Sequence, residues 1–397
     1  MKFGKVGQLT LVSAIALLVA TLFTACGTLN VGFLFVPTNK QTPGQIEVYE
    51  VDSESGSLRT IPTSPFPSGG RDPIAEAVDS NYKNLYVVNQ DDNNIVQFGI
   101  GTDGKLYPQA TVNTPGSFPL ALALNSTHTF LYAVDTLAPI AGCTLTNPCP
   151  GNVFVCPINS DGSLGTPVNN TKQCLLSYPL QLSPTDTTTV LTPTALSILS
   201  DDSTLYVTAY NQANKKGYIF PFTINGDGSL SALNGGNPLN AGSQPAAMAN
   251  DSSAQTLYVA DQAANQIYSY TVQSSGTPLA LKAAIGTGGQ PTSLALLDDK
   301  FLYVTNSADS NVTAYSVSSG NMTNIATYAS DVNPIAITVD PRKVGFLYTV
   351  NFLGSSLSGY KINPDDGTLI NTQRTPYASS VQPTAITGIP HNGTTTK

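Results

Sequence analysis

One short apolar strand returns seven times along this chain, and that repetition limits the fold more than any other feature. It reads Phe33-Leu34-Phe35-Val36, Leu85-Tyr86-Val87-Val88-Asn89 and Leu131-Tyr132-Ala133-Val134-Asp135. It returns as Leu205-Tyr206-Val207-Thr208, Leu257-Tyr258-Val259-Ala260-Asp261, Leu302-Tyr303-Val304-Thr305-Asn306 and Leu347-Tyr348-Thr349-Val350-Asn351. Its aromatic residues lie 51, 46, 74, 52, 45 and 45 residues apart. Apolar character without alternation means that both faces of the strand are buried. A unit of this size cannot bury both faces alone, so the copies must pack against one another. A chain of 397 residues would otherwise suggest two or three domains, but repeats add length without adding separate cores.

Two further elements accompany the strand. Before six copies, and once more at the end, a Pro opens a run of alternating small and apolar residues, as in Pro119-Leu120-Ala121-Leu122-Ala123-Leu124. The residue two after this Pro is Ala75, Ala121, Ala195, Ala247, Ser293, Ala336 or Ala385. Small side chains in every copy fit an innermost strand, where units converge on an axis. After each Tyr strand comes a column of Tyr49, Phe98, Cys156, Phe222, Tyr270, Tyr315 and Tyr360, with the period of two of a third strand. Asp-Gly turns such as Asp161-Gly162 and Asp227-Gly228 then reverse the chain toward an outer strand. The sequence thus predicts an all-β fold, a seven-bladed β-propeller of four-stranded antiparallel blades. The chain begins on a Tyr-type strand and ends on an orphan inner strand, Pro383–Thr387. One blade must therefore take strands from both ends, pairing Pro383–Thr387 with Phe33–Val36, which removes the open sheet edges.

Composition agrees. Charged residues make up only 11%, with 33 Gly and 28 Pro, as expected of many short strands joined by tight turns. The net charge of −8 and the lack of any basic run exclude a phosphate-binding face, so no nucleic-acid partner is expected. At the N-terminus Lys2 and Lys5 precede an apolar run from Leu9 to Phe23. It is short for a membrane span and fits a signal-peptide core. Leu22-Phe23-Thr24-Ala25-Cys26 resembles the lipobox of bacterial lipoproteins. The expected organisation is a signal peptide over 1–25 with Cys26 lipidated, a propeller over 31–390 and a disordered tail over 391–397. Ordinary cleavage nearby is the alternative. Either places the mature protein outside the cytoplasm, in the periplasm or at the cell surface, held to the membrane by the N-terminal lipid only. Loss of Lys2 and Lys5 takes the charge from −8 to −10.

The repeats resemble the YVTN propeller family and the related lactonase-type seven-bladed propellers, which include bacterial 6-phosphogluconolactonases. Leu302-Tyr303-Val304-Thr305-Asn306 carries the name-giving motif, and the resemblance covers about residues 31 to 390. It implies the fold and, more weakly, lactone hydrolysis, since function on a propeller lives in its loops.

Strand direction assigns the loops. We call top the face where inner strands start. It gathers the residue before each Pro, namely Asp72, Phe118, Thr192, Gln244, Gln290, Asn333 and Gln382, and the residues that end the Tyr strands. From these the expected ligand-binding ring is Asp72, Asn89, Asp135, Gln244, Asp261, Gln290, Asn306, Asn333, Asn351 and Gln382. The competing reading is that Asn and Asp cap their own turns. The repeat breaks in two places. The spacing from Tyr132 to Cys156 is 24, against 12 in four other copies, and from Cys156 to Pro193 it is 37. Both insertions are expected at the top. They carry Cys143, Cys149 and Cys174, which with Cys156 suit disulfides in an exported protein. Three connectivities are open, with Cys143–Cys149 and Cys156–Cys174 preferred.

The second break is Glu76, charged where the other copies have Leu122, Leu196, Met248, Leu294, Ile337 and Ile386. A carboxylate at a core position needs a partner or a shifted pKa. A partner such as Arg71, a bound water or a local register shift would each account for it. If the protein is an enzyme, Arg71 and Glu76 are the catalytic candidates. His128 and His391 do not look like general bases, and no metal or other cofactor is expected. Two readings stand: a monomeric propeller binding a protein or carbohydrate ligand at its top face, or a lactone hydrolase. Net charge and a single nearby cation, Arg71, favour a neutral lactone over a phosphorylated one.

Overall fold

The computed structural model describes residues 30–39, 43–168, 171–174, 176–186, 188–273, 278–340 and 345–390. The signal segment, Cys26 and the 391–397 tail lie outside the described residues. Seven antiparallel sheets of at least four strands follow one another around a ring. Their inner strands are Pro73–Val78, Ser117–Leu124, Thr192–Ile198, Pro245–Asn250, Pro291–Leu297, Pro334–Val339 and, in the closing blade, Thr387–Pro390. We number the blades from the closing one, so that Pro73–Val78 opens the second blade. Among the described residues no helix is long and apolar enough to cross a membrane.

The closing blade takes its inner strand from the C-terminus and Asn30–Thr38, Gln45–Asp52 and Leu58–Thr60 from the N-terminus. The pairing runs Phe35 with Thr387, Leu34 with Gly388, Phe33 with Ile389 and Gly32 with Pro390. The strand therefore lies further along the chain than the expected Pro383–Thr387. Only an isolated bridge joins Pro383 to Thr38, because the ladder slips one residue in between. The same slip follows the Pro of all six other inner strands, for example between Pro73 and Ala75, which face Asn89 and Val88. This is a β-bulge, and it re-aims the residues at the strand entrance.

The core lies between blades. Seven apolar clusters each draw on two neighbouring blades, such as Tyr132 and Val134 with Leu205 and Val207. That accounts for the unalternated strands: each blade has a neighbour on both faces. The Tyr hydroxyls fasten blade to blade at the bottom. Tyr86, Tyr132, Tyr303 and Tyr348 donate to the carbonyls of Gly162, Gly228, Gly367 and Gly56, at 2.7, 3.0, 3.0 and 2.8 Å, each in the turn of the next blade. Gly228 sits at φ 82°, and a Cβ there would meet the ring of Phe130 at 2.4 Å. Glycine is thus required both by the turn and by the packing. In the third-strand column Tyr315 and Tyr360 donate instead to Gly286 and Ala329 of the preceding blade. Cys156 replaces the aromatic in the third blade and is bonded to Cys174, while Cys143 is bonded to Cys149. The preferred connectivity is the one found.

One expectation about the insertions is corrected. The 138–151 loop with Cys143–Cys149 projects from the top. The second insertion divides: its hairpin, Thr166–Val168 with Thr171–Gln173, leaves the lower outer edge just after the Asp161-Gly162 turn. Only 180–186 and 188–191 return to the top, where Leu180 and Leu191 exchange backbone hydrogen bonds with Gly151. Leu176–Pro179 pairs with Asn152–Val155, so the outer strand of this blade follows the hairpin instead of preceding it.

Candidate functional site: the top mouth of the channel

The expected polar ring separates into two groups. Asn89, Asp135, Asp261, Asn306 and Asn351 have no exposed surface, and the turns above them use their side chains. Asn89 donates to Asn94 Oδ1 and accepts from the Ser68 hydroxyl. Asp261 accepts the backbone N–H groups of Gln244, Ala263 and Ala264. Asn306 donates to Asn311 and Thr313, and Asn351 to Ser356 and Ser358. These five sit between blades and not at the mouth, because a strand covered on both faces buries its last residue too.

Asp135 is the exception among them. Its Oδ2 accepts the Gly116 N–H at 2.8 Å, and a Cβ on Gly116 would lie 2.7 Å from that oxygen, so only glycine permits the approach. Its Oδ1 and the Oδ1 of facing Asn152 are both buried without a hydrogen-bond partner. Burial pushes its carboxyl up to about 7, opposed by the Gly116 N–H on Oδ2, which favours the charged form. No cation is among its hydrogen-bond partners, so desolvation dominates.

The residues before Pro form the second group, and these stay at the mouth. Asp72, Phe118, Gln290, Asn333 and Gln382 all have φ between 36° and 62°, in the left-handed region. A residue before proline ordinarily takes extended backbone, so the neighbours must impose this geometry. Asn93 accepts the Phe118 N–H at 2.7 Å, Asn265 the Gln290 N–H at 2.8 Å, and Ser310 and Ser355 the N–H groups of Asn333 and Gln382. Each acceptor belongs to the top hairpin of the preceding blade. The carbonyls of Asp72, Gln244, Gln290, Asn333 and Gln382 accept backbone N–H groups as well. One level down, Thr384 donates to the Pro73 carbonyl at 2.6 Å and Gln90 to the Pro119 carbonyl at 3.3 Å. The ring's backbone is thus fixed from both sides, and apart from Asn333, which donates to the Ser307 carbonyl at 3.5 Å, its side chains are left for something else. Thr192 and Gln244 complete the ring at ordinary φ.

Arg71 and Glu76 are not brought together. Arg71 forms an ion pair with Asp92 at 2.6 Å and donates to the Asp91 carbonyl, on the surface. Glu76 pairs with Val87, a residue of the apolar seam between the closing and second blades. Both its carboxyl oxygens are buried without a hydrogen-bond partner. Burial pushes this carboxyl well above the ordinary range, opposed only by the Thr387 backbone. The register is regular there, so no local shift removes Glu76 from the seam. Asp72 is raised too, first by burial and then by the charge of Asp91, and its Oδ1 is likewise without a partner.

At the bottom mouth the polar groups are matched. His128 Nε2 accepts the Ser80 N–H at 3.0 Å, and Asp202 accepts the N–H and hydroxyl of Ser126 at 2.8 and 2.6 Å. His128 must be unprotonated to accept, and burial lowers its pKa in the same sense. Among the described residues no three His, Cys, Asp or Glu side chains gather as metal ligands would.

The family profile of the lactonase, 7-bladed beta-propeller type matches residues 43–139, 161–291, 235–339 and 260–387. The chain belongs to the seven-bladed lactonase family of β-propellers. No curated protein matches it in sequence. Among solved structures, this lactonase-family propeller is similar to the periplasmic gluconolactonase PpgL of Pseudomonas aeruginosa, with 16% identity, a TM-score of 0.74 and coverage of 90% of this chain and 99% of that one. It is similar also to a candidate 6-phosphogluconolactonase of Bacteroides fragilis, with 16% identity, a TM-score of 0.72 and coverage of 91% and 99%. A Lactobacillus plantarum protein gives 17%, 0.73, 91% and 100%. At such identities these likenesses speak for the fold. Phe118 was visible in the sequence as a member of the column before Pro, but it was not among the expected ligand-binding residues. An aromatic residue in a polar column gives no sign that its backbone is left-handed.

Proposed function

We propose that this lactonase-family propeller is an exported cell-envelope protein that binds a neutral glycan, free or protein-borne, at its top mouth. The observation that carries the reading is the ring itself. The preceding blade caps four of the five left-handed residues, Phe118, Gln290, Asn333 and Gln382. Of the five only Asn333 spends its side chain on a neighbouring blade, at the Ser307 carbonyl, so the strain of the others is not repaid by their own side chains. The two disulfides suit an oxidising compartment. Lipidation at Cys26 would leave 27–30 as the tether, about 14 Å at most when extended. Since the first strand enters from the bottom, this would turn the top mouth away from the membrane.

Hydrolysis of a neutral lactone is the second reading, favoured by family membership and by Asp72, a carboxyl of raised pKa at the mouth of the kind general-base catalysis uses. A phosphorylated lactone fits less well. Arg71 is already paired with Asp92, and Asp72 and Asp91 add negative charge nearby. The test is a panel of neutral glycans and of neutral and phosphorylated lactones, scored for binding and for turnover. Binding of a neutral member, lost on substitution of Gln382 or Asp72, supports the reading. Turnover confined to phosphorylated lactones would overturn it.

A further inference from the structure

At the bottom, the seam between the closing and second blades opens into a cleft of about 650 Å³, within the range of ligand pockets. Phe33, Ile389 and Pro390 line it from the closing blade, and Tyr82, Ile100 and Tyr107 from the second. The Phe33 ring stands across the seam, 2.6 Å from where a Cβ on Gly104 would lie, and the Tyr107 ring lies over Gly101, at 3.1 Å on the same measure. Tyr107 is half exposed. Lys83 also lines the cleft, is exposed and makes no ion pair among the described residues. The nearby acids are occupied. Asp79 accepts the Lys83 and Asn84 N–H groups and the Asn84 carboxamide, and Asp103 is paired with Lys105.

A second bottom cleft, of about 660 Å³, lies between the fourth and fifth blades and shows what is particular to this one. In both, the last residue of a third strand donates its N–H to a bottom-turn carbonyl, Ile100 to Lys83 and Val272 to Gln255. Lys83 and Gln255 therefore hold the same place in the repeat. Thr204 holds that of Phe33, and Gln273, after Val272, that of Gly101. Asp201 adds a carboxylate. The same architecture is polar and acidic in one seam, and aromatic with an unpaired cation in the other.

Both ends of the propeller meet at the aromatic cleft. Gly32 pairs with Pro390, and Cys26, the expected lipid anchor, precedes Asn30 by four residues, a reach of about 14 Å at most. A bilayer holding that anchor would bring its phospholipids to this cleft. Tyr and Lys beside an apolar surface suit a membrane–water interface. We propose that the cleft between the closing and second blades is a phospholipid site, its apolar walls taking an acyl chain and Lys83 the headgroup phosphate. This rests on the reading of the chain as an exported envelope protein, and it concerns the face opposite the top mouth.

Calorimetric titration of the mature chain carrying Cys26→Ser, which takes no lipid of its own, tests this with diheptanoylphosphatidylcholine below its critical micelle concentration. The lipid should bind and should slow amide exchange in 81–83 and 99–109, but not in 201–204 and 254–255. Lys83→Gln installs the residue of the matched cleft and should weaken binding about 5-fold, the effect of one cation at a headgroup surface. Tyr107→Thr should weaken it as well, and Gln255→Ala should leave it unchanged. Lys83 and Tyr107 are both exposed, so neither variant should melt lower than the wild type. Glycerophosphocholine, the headgroup alone, and tetraethylene glycol monooctyl ether, a neutral amphiphile, should each bind about 10-fold more weakly or worse. Failure of the phospholipid to bind, unchanged affinity in Lys83→Gln, or equal protection of the two clefts would overturn the proposal. So would either control compound binding as well as the phospholipid. Mass spectrometry of the full-length chain reads lipidation separately. If Cys26 carries a lipid and the titration fails, the site falls while the exported reading stands. If Cys26 is unmodified, the anchor is lost and the titration still decides the site.

Discussion

The two mouths of the channel use the same backbone devices and leave different things behind. At the bottom, left-handed residues such as His128 and Asp202 have side chains that cap the adjacent blade, and Tyr82 packs into the core. At the top, left-handed Asn93, Asn265, Ser310 and Ser355 do the capping, and of the residues they cap only Asn333 uses its own side chain, on the Ser307 carbonyl. Strain in the capping residues is repaid by stability at both mouths; strain in the capped residues Phe118, Gln290 and Gln382 is matched by no side-chain hydrogen bond of their own. The unpaired acceptors follow the same division in part: Asp72, Glu76 and Asp135 all lie on or beside inner-strand entrances. The difference teaches that a repeat protein separates stability from function by which residue of a turn supplies the cap.

The largest expected effect concerns Asp135. Its carboxyl goes from 3.8 to about 7 on folding, so between those values the folded state holds a proton that the unfolded state has lost. Its contribution is therefore full at low pH and declines as pH rises through this window, by roughly 4 kcal/mol. Denaturant titrations of wild type and Asp135→Asn at pH 4 and 8 should show the wild type losing that much more. Equal pH dependence would remove Asp135 from the contrast. Glu76→Leu restores the apolar side chain that the six other blades carry there, as Leu, Ile or Met, and removes an unpartnered buried carboxyl. It should stabilise by about 2 kcal/mol, measured in the same way. A destabilised Glu76→Leu would mean that the carboxyl has a partner in solution.

Smaller effects sharpen the bottom half. Tyr303→Phe leaves the Gly367 carbonyl without its donor and should cost about 1 to 2 kcal/mol in chemical denaturation, with ligand binding unchanged. If it costs nothing, the bottom staples do not distinguish the two faces. Least of all, Gln290→Gly should shift the melting temperature by no more than a degree or so, relief of left-handed strain offsetting the entropy of glycine. A large loss would show the top ring to be structural as well.

Much of the fold was legible because its cause is local and repeated. Seven unalternated strands, small residues two after Pro and Asp-Gly turns each follow from packing blades around an axis, and the ring closure follows from the order of copies. That the four Cys form disulfides was legible, but their pairing was a preference among three connectivities until the structure gave Cys143–Cys149 and Cys156–Cys174. What escaped is non-local. Whether Asn89 or Asp261 ends a strand in water or beneath a turn depends on the adjoining hairpin. The displaced hairpin after Gly162 depends on how the third blade fills its outer edge. Phe118 escaped because left-handed backbone before proline is imposed by Asn93, a residue 25 positions away.

Amide hydrogen exchange with and without the bound glycan tests the central claim most directly. The claim predicts slowed exchange in 90–93, 116–118 and 381–382 at the top mouth, and no change in the bottom turns around Gly162, Gly228 and Gly367. Protection of those bottom turns, with the top mouth unchanged, would contradict it.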